Sequence, residues 1–289
     1  MTTVPQSIPL TKNRFLAELR TLWWITIKNW FYLVRYPSFI IQLLIWPLIF
    51  PAAYIVTAQA LAGPDRIGLV FFAQNTGTVD YIAYIVIGTT VWMWQNTVLW
   101  NIGTDLRNEQ KRGTLESNWL SPSFRFSLLM GTTFIHLFTM FLFILVSFLE
   151  FTFLFGVQWN GNPGLVLLVF LCAAPSIYGI GITFASFVIR MQEANSFIQL
   201  VRGLVMIFCG ITFPISILPN WMAQISRWLP QTYLIRAVRN AALDNADFAA
   251  LKGDLGTLLI FGALWVLVGF LSFHWMERQA RKSGIIGQY

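Results

Sequence analysis

Six long apolar runs divide the chain, and they restrict what it can fold into more than any other feature of the sequence. A helix needs about 20 residues to cross the hydrocarbon core of a membrane, and each run is of that order. Backbone groups in lipid must be hydrogen-bonded within the protein, and the alternating pattern of a membrane barrel is absent, so we expect helices. The runs are Phe39–Ala58, Tyr81–Trp100, Leu128–Phe155, Leu165–Ile189, Phe197–Ile217 and Leu255–Trp275.

The composition supports a membrane protein. Hydrophobic residues make up 56% of the chain and charged residues 11%, whereas a soluble domain has about 45–50% and about 25%. The excess includes 26 Phe and 13 Trp, which suit lipid and the membrane interface. The formal charge of +7 is explained by membrane topology and anionic lipid, so it does not point to nucleic acid.

The basic residues predict the orientation of the chain. Fourteen of the 19 Lys and Arg residues lie in the N-terminal region, the loop after the second run, the turn after the fourth run and the C-terminal tail. Because cytoplasmic loops carry an excess of Lys and Arg, we expect both termini to be cytoplasmic in a multi-pass plasma-membrane protein. Four basic residues in the last outer loop, before the last run, weaken this count without reversing it.

An amphipathic stretch precedes the first run. In residues 11–36, apolar side chains such as Phe15, Leu19 and Trp23 recur near helical spacing, with Lys and Arg on the other side. This pattern predicts an interfacial helix, which Pro37 separates from the first run. Two interpretations stay open: a plain membrane anchor, or an elbow that also contacts a partner protein.

A densely charged loop, residues 105–125, separates the second and third runs. Gly113 permits a sharp turn, Thr114 suits the start of a short helix, and Pro122 ends or redirects it. Apolar side chains lie among the charges of Arg107–Pro122. We therefore favour a cytoplasmic docking surface over a loop that only joins two spans.

The segment 213–243 is too apolar for an ordinary outer loop and too often interrupted by proline for a span. Two short helices joined at Pro230 would fit it, dipping into the outer leaflet. Irregular backbone at that depth must lie against protein or a water-filled cavity. We expect Arg236 and Arg239 to reach the interface or a polar path.

Two further features bear on function. Glu150 lies in the third run, where placing a carboxyl group costs free energy, so that it is by default a candidate functional site. The alternative, which we favour, is that Glu150 lies near the outer headgroups and pairs with a local partner. Small residues at Gly181 and Ala185 permit close helix packing, within the chain or between subunits. The chain contains no Gly-Lys dipeptide and therefore no phosphate-binding loop for ATP.

Two motifs together resemble those of the type-2 ABC exporter permeases. The first is Lys111-Arg112-Gly113-Thr114-Leu115-Glu116 followed by Leu120-Ser121-Pro122. The second comprises Phe213-Pro214, Leu218-Pro219, Trp221 and the stretch from Trp228 to Tyr233. With six runs and an amphipathic N-terminal stretch, the resemblance covers nearly the whole chain.

The resemblance implies an all-α membrane protein that forms one permease domain over residues 1–289. It would have six transmembrane helices, an interfacial helix (11–36), a cytoplasmic coupling helix (105–125) and a re-entrant outer hairpin (213–243) before the last span. It would pair with a second permease, identical or related, and with two copies of a cytoplasmic ATPase. ATP and Mg would bind to that ATPase, and this chain would bind no cofactor and no metal.

The resemblance also assigns residues and a substrate class. The coupling residues would be Glu109, Arg112, Gly113, Thr114, Leu115, Glu116 and Pro122. The substrate path or outer gate would include Phe213, Pro214, Trp221, Pro230, Tyr233, Arg236 and Glu150. The substrate would be a hydrophobic or amphipathic molecule, such as a drug, a natural product, a lipid or a lipid-linked compound, exported from the cytoplasm or inner leaflet.

Two other classes remain as alternatives. An ion-driven secondary carrier often shows internal repeats and broken helices near the midplane, but no repeat is visible and the interrupted segment lies near one face. A membrane-embedded lipid-modifying enzyme would need clustered catalytic groups. The cytoplasmic acids Asp105, Glu109 and Glu116 form the one candidate cluster, and basic residues lie among them.

Overall fold

The computed structural model describes residues 14–36, 38–63, 65, 67–78, 80–111, 113, 125–188 and 194–283, and the regular elements within them are helical. A single 3₁₀ turn, Ile215–Ile217, occurs among these described elements. The α-helices are α1 (Arg14–Arg35), α2 (Ser38–Leu61), α3 (Ile67–Thr76), α4 (Tyr81–Lys111), α5 (Arg125–Phe155), α6 (Pro163–Val188), α7 (Ala194–Phe208), α8 (Asn220–Ser226), α9 (Pro230–Ala242) and α10 (Phe248–Ser283).

Four helices in the described part of the chain are long and apolar enough to cross a membrane. Each matches one of the predicted runs, with ends that differ by several residues. The matching helices are α2, α5, α6 and α10, and their apolar stretches are Ile40–Leu61, Met130–Phe155, Pro163–Val188 and Phe248–Gln279.

The other two predicted spans do not meet that standard. The run Tyr81–Trp100 lies within α4, a helix of 31 residues, but Thr89, Thr90, Gln95 and Asn96 make its middle less apolar. The run Phe197–Ile217 was predicted too long: α7 has 15 residues and ends at Phe208. At 1.5 Å per residue, α7 is about 22 Å long, shorter than the hydrocarbon core of about 30 Å.

The helix α6 lies at the centre of the bundle. Over half of it is buried, compared with 17–28% of the other three apolar helices, and it packs against α4, α9 and α10. Gly181 permits the close approach of α4, because a Cβ there would lie 2.5 Å from Cγ1 of Val98. Ala185 is also buried. The small residues of α6 therefore serve packing within this chain.

The helix α1 packs along α5. The Thr26 hydroxyl lies 3.3 Å from the carbonyl oxygen of Gly131, and a Cβ on Gly131 would lie 2.6 Å from Cγ2 of Ile25. The opposite side exposes large apolar side chains, among them Trp23, Trp24 and Phe31. The predicted helix of residues 11–36 is thus observed over Arg14–Arg35, attached to the bundle along one side.

Candidate functional site

The chain breaks its helical path directly after α7. Gly210 adopts a φ of 68°, a left-handed conformation that glycine accommodates. The 3₁₀ turn and α8 follow, and α9 begins at Pro230. The expectation of two short helices that meet at Pro230 is met, with Pro230 in the first turn of α9, where it needs no backbone hydrogen bond.

Side chains satisfy the carbonyl oxygens that this break leaves without helical partners. The hydroxyl of Ser226, in α8, donates to the carbonyl of Phe208 at 2.6 Å. The guanidinium of Arg239, in α9, donates to Gly210 at 2.9 Å and to Ile211 at 2.8 Å. A cation is favourable at this position because the end of a helix carries partial negative charge.

Arg239 also ties this break to α4. Its guanidinium donates to the carbonyl oxygen of Tyr84 at 3.0 Å and lies over the Tyr84 ring, 3.2 Å from the ring centroid. Its Nε has no hydrogen-bond partner in the described structure.

A glycine on α4 makes the contact possible. A Cβ added to Gly88 would lie 2.0 Å from the carbonyl oxygen of Ile211 and 2.9 Å from Nη2 of Arg239. No side chain could occupy this space without displacing backbone. Gly88 therefore lets α4 run directly against the broken segment that follows α7.

A second arginine joins α9 to the last long helix. Arg236 donates from both Nε and Nη2 to the carboxylate of Asp254, with an Nε–Oδ2 distance of 3.1 Å. The guanidinium also lies 5.2 Å from the ring centroid of Tyr233. Since Asp254 belongs to α10, the pair joins α9 to α10.

A cavity of about 510 Å³ lies between the broken segment, α3, α4, α8 and α9. It opens to the surface, because Arg227, Arg236 and Asp244 in its wall are exposed. The structure places three of the predicted path residues there and leaves the other four outside. Those in the wall are Pro214, Tyr233 and Arg236, and those outside it are Phe213, Trp221, Pro230 and Glu150.

The carboxyl of Glu150 lies apart from this cavity, on α5. One of its oxygens, Oε2, is enclosed and has no hydrogen-bond partner among the described residues. The local partner that we favoured for Glu150 is therefore not seen for this oxygen.

Sequence reasoning missed a polar contact inside the bundle. Gln231 of α9 donates to Gln95 of α4 at 2.7 Å, and both amides are buried. Thr90 of α4 and Ser147 of α5 form a second buried contact at 3.1 Å. Polar residues in the middle of the second apolar run were the available signal, because buried polar groups must find partners.

The charged loop follows the other end of α4, and that end, at Lys111, lies about 40 Å from Tyr84 at 1.5 Å per residue. Gly113 adopts a φ of 70°, which agrees with the expected sharp turn. Arg107, near the end of α4, donates to the carbonyl of Val188 at the end of α6, at 3.4 Å. The side chain of Glu109 lies outside the described structure, as do all of Arg112, Thr114, Leu115, Glu116 and Pro122.

The site offers binding chemistry but not the groups of a metal centre. No group of three His, Cys, Asp or Glu side chains in the described ranges is placed to hold a metal ion. The cavity instead presents guanidinium, hydroxyl and amide groups beside apolar side chains. Such a surface can hold a molecule through charge and hydrogen bonds.

Comparisons with known proteins agree with this geometry. The sequence model of the family described as "ABC-2 family transporter protein" matches residues 51–271, a range from α2 to α10. A stretch of 116 residues is 28% identical to the "Linearmycin resistance permease protein LnrN" of Bacillus subtilis (strain 168). That stretch covers 40% of this chain and 30% of the length of that relative.

Proposed function

The chain belongs to the ABC-2 family of transporter membrane proteins and is a permease that lacks ATPase activity of its own; we propose that it exports a hydrophobic or amphipathic substrate. The substrate class would include drugs, natural products, lipids and lipid-linked molecules. The similarity to a permease named for resistance to linearmycin supports an antibiotic-like substrate. Export would move the molecule out of the cytoplasm or the inner leaflet.

ABC-2 permeases work with ABC ATPase subunits, and we propose two such subunits and a second permease for this assembly. The charged loop would dock the ATPase through Glu109, Arg112 and Glu116. The turn at Gly113 supports this assignment, because it lets the loop leave α4 sharply. ATP and Mg would bind to the ATPase subunits.

The observation that carries the proposal is the position of the cavity relative to the charged loop. The loop follows one end of α4, and the cavity lies at the other end, beside Tyr84. With the basic loop and both termini in the cytoplasm, the cavity would face outward. The segment 213–243 would then form the outer gate, with Pro214, Tyr233 and Arg236 at the cavity and Phe213, Trp221 and Pro230 in the hairpin around it.

The same orientation supports a re-entrant hairpin. The helix α7 ends too early to cross the membrane, and Ser226 and Arg239 satisfy the carbonyl groups at its end. Such internal hydrogen bonding is what irregular backbone within a membrane requires. The four apolar helices would account for four membrane-crossing segments. If α4 crosses the membrane, and if α7 and the hairpin together form one further crossing, the total is six.

The first test is biochemical. The permease is purified with its candidate ATPase in nanodiscs, and ATP hydrolysis is compared with that of the ATPase alone. We expect a stable complex with altered turnover, and we expect Glu116→Ala to abolish the alteration while the permease stays inserted. Asp247→Ala, which removes an exposed carboxylate at the other end of the bundle, is the matched control. Normal coupling in Glu116→Ala would refute the docking role.

A further inference from the structure

The wall of the outer cavity carries more positive than negative charge. Three arginines line it, Arg227, Arg236 and Arg239, whereas Asp244 is its one carboxylate in the described part of the chain. Asp254, which is not part of the cavity wall, forms an ion pair with Arg236 and neutralises its charge. No carboxylate bonds to Arg227 or Arg239 in the described ranges, and Asp244 can offset one of these two charges at most. The cavity therefore favours an anion over a cation or a neutral group.

Nε of Arg239 is enclosed without a hydrogen-bond partner in the described structure, whereas the hydroxyl of Thr232 has the thiol of Cys209 beside it. A buried donor without an acceptor costs free energy, and an uncompensated guanidinium costs more in a poorly solvated site. The carbonyl groups bonded to Arg239 offset part of its charge through their dipoles, but they supply no formal negative charge. An anionic oxygen in the cavity would supply that charge and an acceptor.

Exposed apolar side chains lie on and around α8, the short helix that contributes Asn220, Ala223 and Ser226 to the cavity wall. Trp221, Ile225 and Trp228, in and directly after α8, are exposed by 60%, 40% and 76%. Ile217, just before α8, is exposed by 52%. Tryptophan is typical of the membrane interface, where its ring meets both lipid and water. We call these four side chains the α8 rim; none of them lines the cavity, whose own apolar wall includes Pro214, Ile215 and Leu218.

We propose that the cavity binds the acidic head group, a carboxylate or a phosphate, of an amphipathic molecule whose chain lies along the apolar wall at Pro214, Ile215 and Leu218 and extends toward the α8 rim. The binding site stands on the geometry alone. The further step, that the bound molecule is the exported substrate, rests on the function proposed above. A resident anionic lipid would present the same head-group chemistry.

The test measures binding of defined probes to the full-length permease without its ATPase. The permease is placed in phosphatidylcholine nanodiscs, and binding of radiolabelled decyl phosphate is measured and corrected with empty nanodiscs. Decanol has the chain without the charge, and inorganic phosphate has the charge without the chain. We expect decyl phosphate to bind saturably and to be displaced far less by either of these two compounds than by unlabelled decyl phosphate.

Three single substitutions assign the binding to the cavity. Arg227→Gln removes an exposed charge from the wall, and we expect it to weaken binding by about fivefold, the size of an exposed charge interaction. Asp244→Asn removes the opposing charge and should strengthen binding. Lys252→Gln removes an exposed charge outside the wall and should leave binding unchanged. Equal binding of decyl phosphate and decanol, or no response to Arg227→Gln and Asp244→Asn, would overturn the proposal.

Two further measurements separate the sources of the head group. If short-chain phosphatidylglycerol displaces decyl phosphate and decyl phosphate leaves ATP hydrolysis by the assembled complex unchanged, the site holds a lipid. If decyl phosphate changes that hydrolysis, the site holds substrate. Both results support the acidic-group site. Because binding is measured without the ATPase, a failure of the acidic-group site appears as loss of binding, whereas a failure of the proposed function appears as loss of coupling to ATP hydrolysis.

Discussion

At the scale of single residues, Arg239 links three parts of the chain that are distant in sequence. Its guanidinium bonds to the carbonyl groups of Tyr84, Gly210 and Ile211. A lysine at this position would offer a compact charge on a flexible stem and could not reproduce the planar set of donors. The geometry of the cavity therefore depends on arginine here.

We expect Arg239→Gln to lower the free energy of unfolding by about 2–4 kcal/mol, because it leaves buried carbonyl groups without donors. Thermal unfolding of the purified permease in detergent measures the change. Arg227→Gln is the matched control, since Arg227 is exposed and substitutions of that kind usually change stability by less than about 0.5 kcal/mol. Equal melting temperatures for the two variants would contradict the structural role of Arg239.

At the scale of the elements, the end of the bundle that holds the cavity depends on how closely α4 approaches the broken segment after α7. Gly88 sets this approach through its missing side chain. The buried pair of Gln95 and Gln231 then joins α4 to α9. The ion pair of Arg236 and Asp254 joins α9 to α10. The short helix α9 is thus tied to two long helices through polar contacts.

Gly88→Ala should destabilise the protein, because its Cβ would overlap the backbone of Ile211. Overpacking of this kind costs about 1–3 kcal/mol. Gly203→Ala, within α7, is the control: no atom beyond its own helix and chain neighbours lies within 4 Å of the added Cβ, and alanine favours a helix by up to about 1 kcal/mol. Melting temperatures should move in opposite directions. A neutral Gly88→Ala would show that the segment is free to move away.

At the scale of the whole molecule, α4 joins the two ends that the proposed function needs. It leads into the charged loop at one end and contacts Arg239 at the other. Between them it packs against the central helix α6 where Gly181 faces Val98. Arg107 adds a contact to the last carbonyl group of α6. A force on the loop would therefore reach α4 and α6 together.

We expect Gly113→Pro to leave the permease inserted but to break the link between ATP hydrolysis and transport. Proline fixes φ near −65°, whereas Gly113 has a φ of 70°. Gly113→Ala should have a smaller effect, because alanine can adopt this conformation with strain. Substrate transport per ATP hydrolysed in reconstituted vesicles measures the coupling. Equal coupling in the wild type and Gly113→Pro would refute the role of this turn.

The sequence was sufficient for features that depend on local pattern. Four apolar runs became long apolar helices, and the amphipathic stretch became α1. The prolines of 213–243 indicated short helices, because proline cannot continue a helix interior. Hydropathy alone could not end α7 at Phe208, since the residues up to Ile217 remain largely apolar. The conformation of Gly210 ends it.

What the sequence determined by itself is therefore the class of protein: apolar helices, a charged loop and an interrupted segment before the last helix. These features are visible because hydropathy, charge and backbone preference act over a few neighbouring residues. Only the tertiary structure decided that Arg239 meets Tyr84, that Gln95 meets Gln231, and that Gly181 packs within the chain. These partners lie far apart in sequence, and their contacts depend on how the helices are arranged around α6 rather than on any local pattern.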